Sequence, residues 1–221
     1  MSITSKRLLT SILSQLGGID TTATGSGDAN LTHASVLATL QGAWADRAKS
    51  AFLTLHFVFP HELLPALDLL DRKLVNKFRC QTSEVFYVQS ASAVTEVTNR
   101  RPNSRFRNVY TATKVHYEVR LDSWNCTCAA FAQSELKLLM REHSSEGYAE
   151  MSSTENTVSA LDANVVFGGV ATSEDGPIPI CKHILAAAIG NAAPNLFARS
   201  MQVRDVPIEE IAAWSAGWGE S

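Results

Sequence analysis

Four residues constrain this chain more than any others. They form two tight pairs, Cys126-Thr127-Cys128 and, beyond the long stretch 129–180, Cys181-Lys182-His183. Any fold that uses them together must bring the two pairs into contact across that stretch. Cys-x-Cys at a strand end turns both thiols to one side of a tight turn. Cys-x-His at a helix start puts a thiol and an imidazole in the first turn. Three sulfurs and one nitrogen make a closed tetrahedral set suited to one structural Zn2+, with no position left for a catalytic water. Thiolate-rich ligation favours zinc over Mg2+ or Ca2+. Other chemistries fit less well. An iron–sulfur cluster would have to draw its fourth thiol from Cys80. Redox pairs favour C-x-x-C, and a Cys-His nucleophile has little use for the additional thiols.

The elements around this set follow from hydrophobic spacing. Leu8, Leu9, Ile12, Leu13 and Leu16 predict an amphipathic helix over 4–16, ended by Gly17-Gly18 as a left-handed cap. The segment has no acid before Asp20, as in mitochondrial presequences, but its interrupted apolar pattern reads as a surface helix. Residues 17–30 read as a flexible linker. A second helix is expected from near Thr32, with Val36, Leu37, Leu40, Trp44 and Ala48 on one face. The run 51–59 reads as helix from Phe52, Leu55 and Phe59. Pro60 then opens a helix over 61–78 with Leu63, Leu67, Leu70, Leu74 and Phe78 in one stripe.

After Cys80 the pattern turns to β. Residues 85–90 and 115–124 read as paired antiparallel strands, with Val115, Tyr117, Val119 and Leu121 on the buried face. An Arg-rich hairpin loop joins them. Helices are expected over 128–142 and 181–190, separated by a Ser/Thr/Glu/Gly-rich mobile insertion at about 143–176. A last helix begins near Pro207, with Asp205 as cap and Ile208, Ile211, Trp214, Ser215 and Trp218 along one side.

Trp124-Asn125-Cys126-Thr127-Cys128-Ala129-Ala130-Phe131 and Cys181-Lys182-His183-Ile184-Leu185-Ala186 resemble the SWIM zinc finger, whose signature is C-x-C-x(n)-C-x-H on a ββα build. The likeness covers about residues 85–190. Ala129 and Ala130 stand where a proline often follows the second cysteine. Upstream, 55–75 (LHFVFPHELLPALDLLDRKLV) is similar to the helical segment before the finger in the SWIM-containing subunit of the fungal Shu recombination complex. FYVQSAS, and FGGV followed by PICKH, also fit that family.

The resemblance implies an α+β chain: N-terminal helices, then a ββα SWIM zinc finger, then C-terminal helices. Its divisions are 1–31 (helix and linker), 32–80 (helical segment), 81–192 (finger with insertion) and 193–221 (helical tail). It implies that Cys126, Cys128, Cys181 and His183 hold one structural zinc. It further implies a nuclear, non-enzymatic adaptor that binds recombinase paralogues and promotes RecA-family filament assembly in homologous recombination and DNA repair.

Charge is unevenly distributed. Residues 1–71 sum to −2, 72–120 to +7 and 121–221 to −8, within a net charge of −3. Any nucleic-acid contact must therefore be local. Arg100, Arg101, Arg105 and Arg107, with Phe106 among them, could hold phosphate and stack on a base, or form a solvated loop. Those arginines support the alternative of a free-standing single-stranded-DNA-binding zinc finger protein. Trp214 and Trp218 could anchor in a partner's groove or close over the chain's own core. Hydrophobic content of 45% in 221 residues supports one domain with appendages. The chain has no G-x-x-x-x-G-K-[ST], H-E-x-x-H or G-x-S-x-G motif, so ATPase, metalloprotease and hydrolase readings find no support. No apolar run is long enough for a transmembrane helix.

Overall fold

The computed structural model describes residues 5–19, 42–81, 83–91, 115–145 and 178–218. The expected linker core, the start of the second helix, Arg100, Arg101, Arg105 and Arg107, and nearly all of the 143–176 insertion lie outside the described residues. The elements run α1 (Ser5–Gly17), α2 (Gly42–Val58), α3 (Leu63–Asp71), β1 (Val75–Cys80), β2 (Ser83–Gln89), β3 (His116–Arg120), β4 (Asn125–Cys126), α4 (Ala129–Ser145), α5 (Lys182–Ala192), α6 (Pro194–Phe197), β5 (Met201–Asp205) and α7 (Ile208–Ser215). The chain is α+β. Its five strands form one mixed sheet in the order β4-β3-β2-β1-β5, antiparallel throughout except for the β1–β5 pair.

The helix expected over 61–78 stops at Asp71. Lys73 takes φ +57°, the Leu74 amide donates to Leu69 and the Lys73 amide to Leu70. This is a Schellman ending with lysine, not glycine, at the left-handed position. The chain then turns into β1, where Val75 pairs with Val88 on one side and Met201 on the other. Leu63 and Leu70 are buried as expected, and Leu67 and Leu74 are half-buried against them. Phe78 leaves that stripe altogether.

The strand alternation explains why. On β2, Phe86 and Val88 face the main core, whereas Val85 and Tyr87 face a second cluster with Phe78, Val206 and Ile211. Both faces of the sheet are covered. The inner face meets the bulk of the helices, with α5 buried along nearly its whole length. The outer face meets α7. On β3 the expected inward pattern holds for Tyr117 and Val119, but Val115 is exposed.

Three further expectations change. Gly17-Gly18 is not a left-handed cap. Gly17 is needed for closeness: a Cβ there would lie 2.6 Å from the Ala192 carbonyl oxygen of α5. Asp205 does not cap α7. It ends β5 and pairs with Arg79 at 3.0 Å, while Pro207 holds the cap position. The expected C-terminal helical tail also contains β5, whose residues are mostly exposed: Met201 and Val203 alternate with Gln202 and Arg204, but no alternation of burial follows.

Trp214 and Trp218 do not share a helix face. Gly217 adopts φ +84° and ends α7 with a second Schellman pattern, Trp218 to Ala213 and Gly217 to Trp214. Trp214 packs inward on Phe78, Tyr87 and His116 at centroid distances of 5.2, 4.9 and 5.1 Å. Trp218 stays 78% exposed. Among the described residues no helix is long and apolar enough to cross a membrane.

Candidate metal centre

The site is assembled where the edge of the sheet meets the start of α5. Cys126 ends β4, which pairs with β3 through Val119 and Arg120. Thr127 then locks the turn. Its amide donates to the Glu118 carbonyl at 3.0 Å, and its hydroxyl accepts from the Glu118 amide at 3.0 Å. With the middle residue tied to β3, the thiols of Cys126 and Cys128 are free to point inward. Both are buried. Cys181 occupies the N-cap of α5 in extended conformation, and its sulfur accepts from the Ile184 amide at 3.5 Å. His183 follows in the first turn.

The four donor atoms all lie within 4.8 Å of one another, and all four residues are buried. The imidazole Nδ1 is 3.9 Å from the Cys126 sulfur and 4.0 Å from the Cys181 sulfur. No cysteine is in a disulfide. The cluster could hold one metal ion, and the chemistry of the donor set fits one. Burying an imidazole costs free energy unless both nitrogens find partners. His183 is 4% exposed, yet its Nε2 has no hydrogen-bond partner among the described residues. Leaving such an atom unmet costs about 1–3 kcal/mol. A bond from Nδ1 to a metal gives the buried ring a compensating reason to be there.

The sulfurs are electrostatically coupled even without an ion. Sharing hydrogen bonds with Cys128 and Cys181, together with burial, pushes the Cys126 thiol far above the ordinary range. Cys128, the acceptor of those bonds, is held far below it, helped by His183 and by the Phe131 amide at 3.3 Å. The Cys181 thiol is lowered by its bond to Cys126, but its bond to Cys128 and its burial outweigh this and leave it raised. Binding of a cation here would be linked to loss of protons from the raised thiols.

Two hydrogen bonds fasten the ligand pairs to each other across the long gap. Trp124, 1% exposed and at φ +48°, donates its indole Nε1 to the Pro179 carbonyl at 2.8 Å. The Ile180 amide donates to the Ser134 hydroxyl at 3.2 Å. Residues 178–180 are thus held against the turn before Cys126 and against α4, and they lead directly into Cys181 at the N-cap of α5.

All four expected ligands meet in one place. No protein-family model matches this chain, and no curated protein matches it. Trp214 contributes to the outer face of the sheet, on the side opposite the main core. Cys80, the one cysteine outside the two pairs, is half-buried beside the second cluster, away from the site. His56 and His61 are exposed. Spacing alone pointed to neither Trp124 nor Tyr117 as part of the site. The one signal was the position of Trp124, two residues before the first ligand.

Proposed function

We propose that this chain is a non-enzymatic adaptor whose fold is tied together by one structural Zn2+ bound to Cys126, Cys128, Cys181 and His183 in a SWIM-like finger. The observation that carries the reading is the closed, buried Cys3His set. Four protein donors complete a tetrahedron and leave no open position, which is the pattern of structural rather than catalytic zinc. Bond lengths of about 2.3 Å to sulfur and 2.0–2.1 Å to nitrogen would leave the donors roughly 3.5–3.8 Å apart. The observed sulfur–nitrogen separations of 3.9 and 4.0 Å need only a slight contraction, and the set as a whole, spread within 4.8 Å, a somewhat larger one.

The partners we propose are recombinase paralogues in a Shu-like complex that promotes RecA-family filament assembly, with residence in the nucleus. This rests on the likeness of 55–75, 86–92 and the two ligand pairs to the Shu-complex SWIM subunit. Elemental analysis of the wild-type protein and His183→Ala is the test. One zinc per chain, lost in the variant, supports the finger and leads to binding assays with purified recombinase paralogues. Absence of metal, or iron with visible absorbance, overturns it.

A second reading is a single-stranded-DNA-binding finger. It is favoured by the +7 charge of residues 72–120. It expects steep salt dependence of DNA affinity in the isolated protein, lost when Arg100, Arg101, Arg105 and Arg107 are changed to Ala.

A further inference from the structure

His183 is the one ligand with a second nitrogen, and that nitrogen is unmet. Nδ1 faces the sulfurs of Cys126 and Cys181, while Nε2 is buried without a hydrogen-bond partner among the described residues. A metal-binding imidazole is ordinarily oriented through its other nitrogen, by a carboxylate, a carbonyl or water. Here the contact the structure supplies is on the face of the ring, not in the plane of its nitrogens. Tyr117 lies against the imidazole with centroids 4.5 Å apart and planes inclined by 33°.

The strand register explains the placement. Tyr117 and Val119 share the inner face of β3, and Val119 pairs directly with Cys126. The strand that positions one ligand therefore also lays a ring over another. Tyr117 is half-buried whereas His183 is 4% exposed, so of the two stacked rings the phenol lies nearer to solvent.

We propose that His183 binds the metal through Nδ1 and that Tyr117 is the positioning residue that orients the imidazole, by stacking rather than by a hydrogen bond. The inference rests on the metal-site reading above. The phenol ring supplies the hold, and the hydroxyl is dispensable. Tyr117 limits two motions that precede metal loss: rotation of the imidazole about its Cβ bond and entry of water beside it.

Long-range 1H–15N correlation spectra of the zinc-loaded, 15N-labelled full chain report which nitrogen of His183 carries the metal. Nδ1 ligation is expected, with the His183 ring protons shifted upfield by the Tyr117 ring. Zinc transfer to a chromogenic chelator is then followed in the wild type, Tyr117→Phe and Tyr117→Ala. Tyr117→Phe should match the wild type in rate and ring-proton shifts. Tyr117→Ala should weaken zinc binding about ten- to hundredfold, as loss of a ligand-orienting group does, and lose the upfield shift. Ligation through Nε2, unchanged release from Tyr117→Ala, or Tyr117→Phe behaving like Tyr117→Ala overturns the proposal. Should Tyr117→Ala not fold, the wild-type and Tyr117→Phe spectra decide. A wild-type protein without zinc overturns the metal reading too, whereas a zinc-bearing protein ligated through Nε2 overturns the stacking role alone.

Discussion

Replacing Trp124 by Phe should loosen the metal centre without touching a ligand. The indole is 1% exposed and donates to the Pro179 carbonyl at 2.8 Å. Phenylalanine keeps an aromatic ring but has no donor. The Pro179 carbonyl then loses that partner in a buried setting, which costs about 1–3 kcal/mol. The ring also shrinks by roughly 40 Å3, and at about 24 cal/mol per Å3 of residual cavity this adds about 1 kcal/mol. The total loss is about 2–4 kcal/mol of unfolding free energy. Because the bond joins the turn before Cys126 to the segment before Cys181, the same change should weaken metal affinity. Urea unfolding followed by far-ultraviolet circular dichroism, with excess zinc and with chelator, measures the first. Competition with a chelator measures the second. Trp218→Phe is the control, since Trp218 is 78% exposed and its replacement should stay within about 0.5 kcal/mol. If Trp124→Phe behaves like that control, the indole bond does not hold the two ligand pairs together.

Other outcomes follow from the same geometry. Gly17→Ala should destabilise by about 1–2 kcal/mol despite better helix propensity, because its Cβ would meet the Ala192 carbonyl oxygen at 2.6 Å. Gly18→Ala, with its nearest neighbours at 3.7 and 3.8 Å, should be neutral or stabilising, and thermal unfolding of the pair checks the contrast. Lys73→Gly should stabilise by about 0.5 kcal/mol in denaturant titration, since relief of the left-handed φ of +57° exceeds the added entropy of the unfolded chain. Metal binding near pH 7 should release one proton from Cys126 and one from Cys181, whose thiols are raised, and none from Cys128, which is lowered. Calorimetry in buffers of different ionisation enthalpy counts those protons. Protons compete with the metal for these sulfurs, so the stability gained from zinc should shrink as pH falls and persist as pH rises.

The candidate metal centre was largely legible because its information is local. Cys126 and Cys128 are one residue apart at a strand end, and Cys181 and His183 are one residue apart at a helix start. The helices α1, α2 and α5 and the pairing of β2 with β3 likewise follow from side-chain periodicity within each segment. Periodicity misled at 72–80. The helical stripe of leucines runs on into Leu74 and Phe78, but the left-handed turn at Lys73 gives β1 two strand partners that a longer helix would lose.

Other features depended on contacts between distant residues. Strand β5 is marked only by the brief alternation of Met201 and Val203 with Gln202 and Arg204, and by little burial. It forms because its backbone pairs with β1 in parallel, from Val75–Met201 to Arg79–Asp205. Gly17 looked like a helix cap, and only the approach of α5 shows why it lacks a side chain. The residue types and spacing of the four ligands determined that a metal could be held. Tertiary structure decided how. It brought the pairs together through Trp124 and Pro179, buried the imidazole, and laid Tyr117 against it. Short-range spacing sets which donors can share an ion. Long-range packing alone sets the dielectric around them, the orientation of each ring, and the tightness of the cage.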